Sequence, residues 1–444
     1  MKTPIFDFLS SYADSDISRF HMPGHKGCGR LGVEGYDITE ISGADTLYFS
    51  DGIISRSEEN ATELFGTAHT YYSAEGSTLA IKAMLATALV NCGGKSRTLV
   101  AARNAHKALI YAAAELDFDI SWLFPETDTH YCSCKITEQT LRRELEQSLP
   151  FAVYITSPDY LGSISDVSGL AAVCHEYGVP LLVDNAHGAY LAFTNPVMHP
   201  IALGADMCAD SAHKTLPVLT GGAYLHISKS ANAEYVGTAR KMLSAFASTS
   251  PSYLLLASLD LCNGELSSGY AQRIRECADK TADIKKKLSK IGVNIMETEP
   301  LKIVFHSALF GYKGTELAEH LRRFKIEAEF ADSEYTVLMV TPNNTEEDFS
   351  RLLSAVSALE KREALKSAAN FVTVRPRVHC SIKNAVFSKS EQVCVSEAVG
   401  RACAAPIAAC PPAVPIVVSG EVIDEKIIEI LLNYKIEKIE VMKL

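Results

Sequence analysis

The chain has 444 residues, enough for two or three domains around a large buried core. Its 47% hydrophobic and 21% charged residues are ordinary for a globular protein, and its net charge of -11 comes with no extended basic block. That excludes nucleic acid or an anionic membrane as the main partner, since both demand clustered Lys and Arg.

The twelve cysteines are scattered, with one Cys-x-Cys (Cys132, Cys134) and no Cys-x-x-Cys, so neither a metal site nor a disulfide framework is expected. Reduced thiols of a cytoplasmic protein fit that pattern. The first residues, "MKTPIFDFLSSYADSD", carry acids early and lack the apolar core of a signal peptide. The most apolar stretch, "AAPIAACPPAVPIVV" (404–418), holds four prolines and is no membrane helix.

Residues 1–50 read as an N-terminal arm. Within it "RFHMPGHKG" (19–27) is too rich in Gly, Pro and His for a helix or inner strand, so an exposed loop is expected, with His25 and Lys26 facing a ligand. Residues 51–267 read as a large domain in which β-rich runs alternate with helical patterns. "GSTLAIKAMLATALV" (76–90) predicts a helix with Gly76, Ser77 and Thr78 at its start. "RTLVAA" (97–102) predicts a strand and "AHKALIYAAAELD" a helix begun at His106. "FAVYITSP" (151–158), "VPLLVDNAHG" (179–188) and "ADMCADSAHK" (205–214) predict strands that end in polar residues, with the helix "GLAAVCHEYG" (169–178) between the first two. Such alternation means an α/β fold with a mainly parallel sheet, whose ligands collect at the carboxyl ends of the strands. A smaller α+β domain follows at 268–365, with a long charged helix (about 268–290), strands near 301–306 and 335–341, and a helix after "TPNNTEED". "KREALKSAAN" (361–370) reads as a solvated helix end or linker, and 371–444 as a Pro-rich C-terminal domain.

The strand ends carry one chemistry. Pyridoxal 5'-phosphate needs a lysine amine, an acid to keep its ring nitrogen protonated, a cradle for a dianion and a flat group against the ring. Lys214 offers the amine and Asp184 the acid, with Ala186 beside it. Gly76, Ser77 and Thr78 open a helix whose free N–H groups favour phosphate. Ser211 and His213 add donors, and His106 could stack on the ring. Each has a bland reading: a solvated lysine, a turn-capping aspartate, ordinary N-cap hydroxyls, and capping histidines at 106 and 187. No structural reason accounts for their joint order along the strand ends of one sheet.

"FHMPGHKG" (20–27), "DITEISGADTL" (37–47), "DNAHGA" (184–189), "SAHKTLPVLTGGAYLH" (211–226) and "CPPAVPIVVSGE" (410–421) together resemble the Orn/Lys/Arg decarboxylase family in its short form, from about residue 3 to the C-terminus. The resemblance implies a fold-type-I, aminotransferase-like large domain. It implies Lys214 as the cofactor lysine, Asp184 on the pyridine nitrogen and His106 on the ring face, with Ser77, Thr78, Ser211 and His213 around the phosphate. It implies a homodimer whose site lies near the interface, each arm reaching the partner's pocket. Four positions depart from the family pattern. Glu75 brings a carboxylate before the phosphate helix, which is unfavourable unless it points away or meets a basic group. Asp159, Leu161 and Gly221 change what the resemblance implies is the substrate side.

The expected reaction is loss of CO2 from a basic L-amino acid, with His213 or His187 handling protons and Glu421 offered as the acid for a cationic side chain. Otherwise Glu421 is a solvated loop acid. Two other readings use the same residues. An aminotransferase or β-eliminating lyase would fit, with Arg375 or Arg377 for a second carboxylate, and so would a cofactor-binding protein without turnover.

Overall fold

The computed structural model describes every residue except 95, 127–128, 366–374, 410 and 444. The expected linker 361–370 and the start of the expected C-terminal domain therefore fall partly outside the described residues. The strands β1 (His69–Ser73), β2 (Thr98–Ala102), β3 (Asp119–Leu123), β4 (Ala152–Thr156), β5 (Leu181–Asp184), β6 (Met207–Asp210) and β7 (Ala223–Ile227) form a seven-stranded, mostly parallel sheet in the order β1-β7-β6-β5-β4-β2-β3. The chain packs as two compact units: residues 1–96, 151–153 and 167–274, and residues 97–150, 154–166 and 275–444.

In the first unit, β5 and β6 run parallel, with Asp184 opposite Ala209. Two strands that alternation alone does not predict complete the edge: β7 runs antiparallel to β6, and β1 antiparallel to β7. Helix Gly76–Asn91 is apolar nearly all round and buried along most of its length, as a helix packed on a sheet must be. One expectation needs correction. The strand expected over 205–214 stops at Asp210; Ser211 turns the chain and Ala212–Thr215 form a single helical turn, so His213 and Lys214 stand on a turn and not on a strand.

The arm opens with helix Pro4–Ala13, and residues 14–52 contain no helix or strand among the described residues. Two acids, Asp45 and the buried Asp260, tie this region down. Asp45 caps helix Ile53–Phe65 from the loop: its Oδ2 accepts from Gly52 N and Ile54 N at 2.9 Å. Asp260 caps helix Pro4–Ala13, accepting from Ile5 N at 2.8 Å and Phe6 N at 3.0 Å, while its other oxygen meets Ser57 Oγ. Burial pushes the Asp260 carboxyl up to about 6. The folded chain thus holds this proton more tightly than the unfolded one, and stability from this group rises as pH falls from about 6 toward the ordinary carboxyl range. Asp260→Ala, which orphans the two N–H groups, should cost about 1–3 kcal/mol in urea denaturation. Asp260→Asn keeps an acceptor for them and a donor for Ser57, so it should hold stability and lose the rise on acidification. An unchanged pH profile in Asp260→Asn would count against this assignment.

The second unit carries β2 and β3 in parallel and an antiparallel sheet of β8 (Lys302–His306), β10 (Tyr335–Met339) and β9 (Phe330–Ala331). β11 (Ser390–Cys394) pairs with β14 (Lys438–Met442), and β12 (Ile407–Ala408) with β13 (Pro415–Val417). Val304 and Val337 share one apolar core with Ile416, Leu431 and Val441. The long charged helix expected from about 268 runs Ala271–Ile291, after a kinked turn in which Gly269 takes a φ of 123°.

Candidate active site

The first unit gathers a set of reactive side chains where β5 and β6 end. Asp184 closes β5 with 2% of its surface exposed, and its Oδ1 accepts from Ala186 N at 3.1 Å. The turn that follows carries His187, which is buried. Its Nε2 lies 3.1 Å from Lys214 Nζ. That contact joins the two strand ends, because Lys214 belongs to the turn after β6. An amine and an imidazole at this distance can pass a proton between them.

Ser211 begins the same turn and donates its hydroxyl to Ser77 Oγ at 2.8 Å. Ser77 opens helix Gly76–Asn91, which no side chain caps. Gly76 N gives its proton to Gly221 O at 2.7 Å. Gly76 and Gly221 have φ of 71° and 102°, where a Cβ is strained, so Gly221 answers the backbone first. Glu75 is turned away: its Oε1 accepts from Ser248 N at 2.6 Å, which removes the objection to a carboxylate before this helix. His213 donates Nδ1–H to Gly222 O at 3.0 Å, and burial holds its pKa below the ordinary histidine value. A neutral ring of that tautomer offers Nε2 as an acceptor. Donation to a phosphate needs a second proton, which a dianion alongside would favour.

These residues fit pyridoxal 5'-phosphate. An uncapped 16-residue helix start with hydroxyls at its mouth suits a dianion. A buried carboxylate suits a pyridinium, and a half-buried amine with an imidazole beside it suits a carbonyl.

The other expected site residues make contacts of their own. His25 spends both ring nitrogens inside the arm loop, Nε2 on Asp37 Oδ2 at 3.1 Å and Nδ1 on Gly27 N at 3.0 Å. Lys26 Nζ donates to His21 O. In the second unit, His106 caps helix Lys107–Leu116 by accepting from Ala108 N. Arg375 lies over the ring of Phe124. Asp159 is buried, accepts from Ser133 Oγ and Ser163 N, and is pushed up by burial. Leu161 belongs to the unit's apolar core.

Glu421 corrects the solvated-loop reading. It is 3% exposed, its Oε2 meets Arg103 Nη2 at 3.1 Å and accepts Val418 N at 2.7 Å. Burial raises its pKa, and Arg103 opposes that. Sequence reasoning missed a further group beside the site: Asn185, His199, Asp210 and His226, all buried. The available signal was Asp210 itself, an acid inside the apolar run "ALGADMCADSA".

The chain has known relatives. A profile of the Orn/Lys/Arg decarboxylase major domain matches residues 3–309. An arginine decarboxylase of Bacillus subtilis is 27% identical over 456 residues, covering 96% of this chain and 92% of its own. An arginine decarboxylase of Bacillus anthracis is 28% identical over 460 residues, covering 96% and 92%. The solved constitutive lysine decarboxylase of E. coli superposes with a TM-score of 0.81 at 17% identity, covering 100% of this chain and 82% of that one. That likeness establishes the fold, the fold-type-I architecture of pyridoxal-phosphate enzymes. No helix among the described residues is long and apolar enough to cross a membrane. With the family profile matched from residue 3 to residue 309, the chain belongs to the Orn/Lys/Arg decarboxylase family and is an amino-acid carboxy-lyase.

Proposed function

We propose that the chain releases CO2 from arginine, lysine or ornithine and forms the corresponding amine of polyamine metabolism, with pyridoxal 5'-phosphate as its resident cofactor. The observation that carries this reading is the 3.1 Å contact of Lys214 Nζ with His187 Nε2, made where β5 has just presented Asp184. When bound, the cofactor supplies an electron sink for the pair left behind as the carboxylate departs.

The chain's own residues do the rest. Lys214 would hold the cofactor through its amine. An amine must be neutral to attack, and His187 is placed to take its proton. Asp184, buried, keeps a proton on the ring nitrogen, because a carboxylate in a poorly solvated place strongly favours a cation beside it. Gly76, Ser77, Thr78, Ser211 and His213 hold the phosphate, with Ala186 next to Asp184. His213 or His187 returns a proton to Cα. His106 takes the ring face on the strength of the family resemblance.

On the substrate side the proposed contacts are His25, Lys26 and Glu421. Glu421 is the acid among them, and its charge is already matched by Arg103, so a cationic side chain would have to compete with that pair. The arm (1–50), the large domain (51–267), the small domain (268–365) and the C-terminal domain (371–444) are the proposed functional divisions, and the cytoplasm the proposed compartment.

A homodimer is proposed as well. Phe20, Met22, Leu31 and Phe49 of the arm region are 95%, 69%, 83% and 72% exposed, apolar surface that a second copy of the chain would cover. A monomer by sedimentation at enzymatic working concentrations would sink this part.

The test of the reaction is a product assay. With cofactor and each of the three amino acids in turn, the protein should release CO2 and the amine one carbon shorter. An aminotransferase would need a keto acid and release none; a silent binder would form no product. No CO2 from any of the three overturns the proposal.

A further inference from the structure

We propose that Asp210 is a positioning residue for the site, a buried carboxylate that, through Asn185, fastens the turn presenting Asp184 and His187 to the turn presenting Ser211 and Lys214. The proposal concerns how the Lys214–His187 contact is held, and it rests on the assignment of Lys214 as the reacting amine.

β5 and β6 are hydrogen-bonded neighbours up to Asp184 and Ala209, where Asn185 N still donates to Ala209 O at 2.9 Å. Beyond that point the two chains leave the sheet as separate turns. Side chains continue the join. Asn185 Nδ2 donates to Asp210 Oδ1 at 2.8 Å. A Cβ on Gly188 would fall 2.0 Å from Asn185 Oδ1, so only glycine leaves this amide its place.

Asp210 is in turn held from behind. His199 Nε2 and His226 Nε2 reach its Oδ2 at 3.0 and 3.2 Å, and Cys208 Sγ its Oδ1 at 3.1 Å. Each ring has a second partner on its far side. His199 Nδ1 accepts from Ile201 N at 3.4 Å, and His226 Nδ1 meets the hydroxyl of Thr70 at 2.9 Å. With a proton on Nε2, each ring donates to Asp210 Oδ2. Four donors thus converge on one carboxylate. His199 and His226 hold Asp210 well below the usual carboxylate range against the cost of burial. Burial likewise keeps His226 below the ordinary histidine value.

Asp210, Asn185, His199 and His226 are at most 1% exposed, so none of them touches substrate. Their effect must pass through the turns they hold. A surface loop would allow the Lys214 turn to drift, and an ångström of drift at a reacting amine is costly. A fully buried acid stands one residue before Ser211 because side chains from β6, β7 and the turn after β5 meet there.

His199, Cys208 and Asp210 also bring metal-ligand atoms within 4.8 Å of one another. Hydrogen bonds from His199 and Cys208 to Asp210 already engage these atoms.

Trace acetylation of the full chain, freed of cofactor with hydroxylamine, reads the Lys214 amine directly across pH by peptide mass spectrometry. It needs no turnover. His187→Ala supplies the reference curve for an amine without its imidazole. Asp210→Asn sets an amide donor against either the Asn185 amide or the two imidazole N–H groups. Lys214 labelling should then move toward the His187→Ala curve. In the loaded enzyme kcat should fall by about a hundred-fold, the scale of an ångström of misplacement, with KM moving far less. The reciprocal pair Asn185→Asp with Asp210→Asn reverses the hydrogen bond between the turns and still offers both histidines an oxygen. It should recover most of the labelling and of kcat. Asn185→Ala, which leaves both histidines on Asp210, covers the case in which Asp210→Asn does not fold, and should shift the labelling in the same sense.

Unchanged Lys214 labelling in either folded single variant overturns the proposal. So does a reciprocal pair no better than Asp210→Asn, or stoichiometric zinc bound through His199 and Asp210. A labelling shift in a protein that releases CO2 from none of the three amino acids would sink the proposed reaction and leave this inference standing.

Discussion

Lys214→Ala should lose turnover completely, and the borohydride-fixed cofactor adduct seen in the unaltered protein should disappear with it. Removing a positioned acid–base group alone costs about 10²–10⁴ in rate. Removing the amine that carries the cofactor takes away a covalent step as well, so the loss should exceed that range. Asp184→Ala separates the roles: the adduct should remain on Lys214 while most turnover goes, since the ring nitrogen would lose its proton. An adduct on another lysine, or full activity in Asp184→Ala, would remove the mechanism. Lys214→Ala also tests whether two subunits share a site. Mixed with an arm variant, His25→Ala plus Lys26→Ala, it should regain part of the activity through hybrid dimers. No recovery despite proven subunit exchange would leave the arm with a role in its own subunit.

How far these sites could be read from the chain depends on where each residue's partner lies. Asp184, Lys214 and the start of helix Gly76–Asn91 were legible because buried parallel strands are apolar runs, and polar residues that end such runs stand out. The antiparallel edge was not. β1, "HTYYS", is buried along most of its length and β7, "AYLHI", throughout, yet neither has the aliphatic signature of a central strand. "CADSAHK" carries no glycine or proline to mark where the sheet ends, so the turn at Ala212–Thr215 reads as strand. Asp210 was illegible for a different reason. Its donors come from residues 185, 199 and 226, so its charge looks unmatched from any local window. Glu421 is the extreme case. Its cation lies 318 positions earlier, and an acid after "SG" naturally reads as exposed.

Breaking that distant pair should produce the largest change in stability. Arg103 donates to Pro415 O and Ile416 O at 3.2 Å as well as to Glu421, and its guanidinium lies 5.2 Å from the ring centre of Trp122. Arg103→Ala leaves a buried carboxylate without its cation and two carbonyls without donors. Removing one partner of a buried ion pair costs about 3–5 kcal/mol, much of it the penalty on the charge left behind. Glu421→Gln is milder in shape, because the amide oxygen still accepts from Val418 N while the arginine loses its counter-ion. A double variant, Arg103→Met with Glu421→Gln, strands no charge and should therefore be more stable than Arg103→Ala despite changing more atoms. Denaturant unfolding of the three proteins decides this. The same set weighs the two roles open to Glu421. If it serves the fold, Glu421→Gln lowers the unfolding midpoint and leaves KM for lysine, ornithine and arginine nearly where it was. If it meets the substrate's cationic end, KM for those amino acids rises steeply while the midpoint barely moves. The Arg103 contact and the depth of burial favour the first outcome, and the second would mean that Arg103 gives way when substrate arrives.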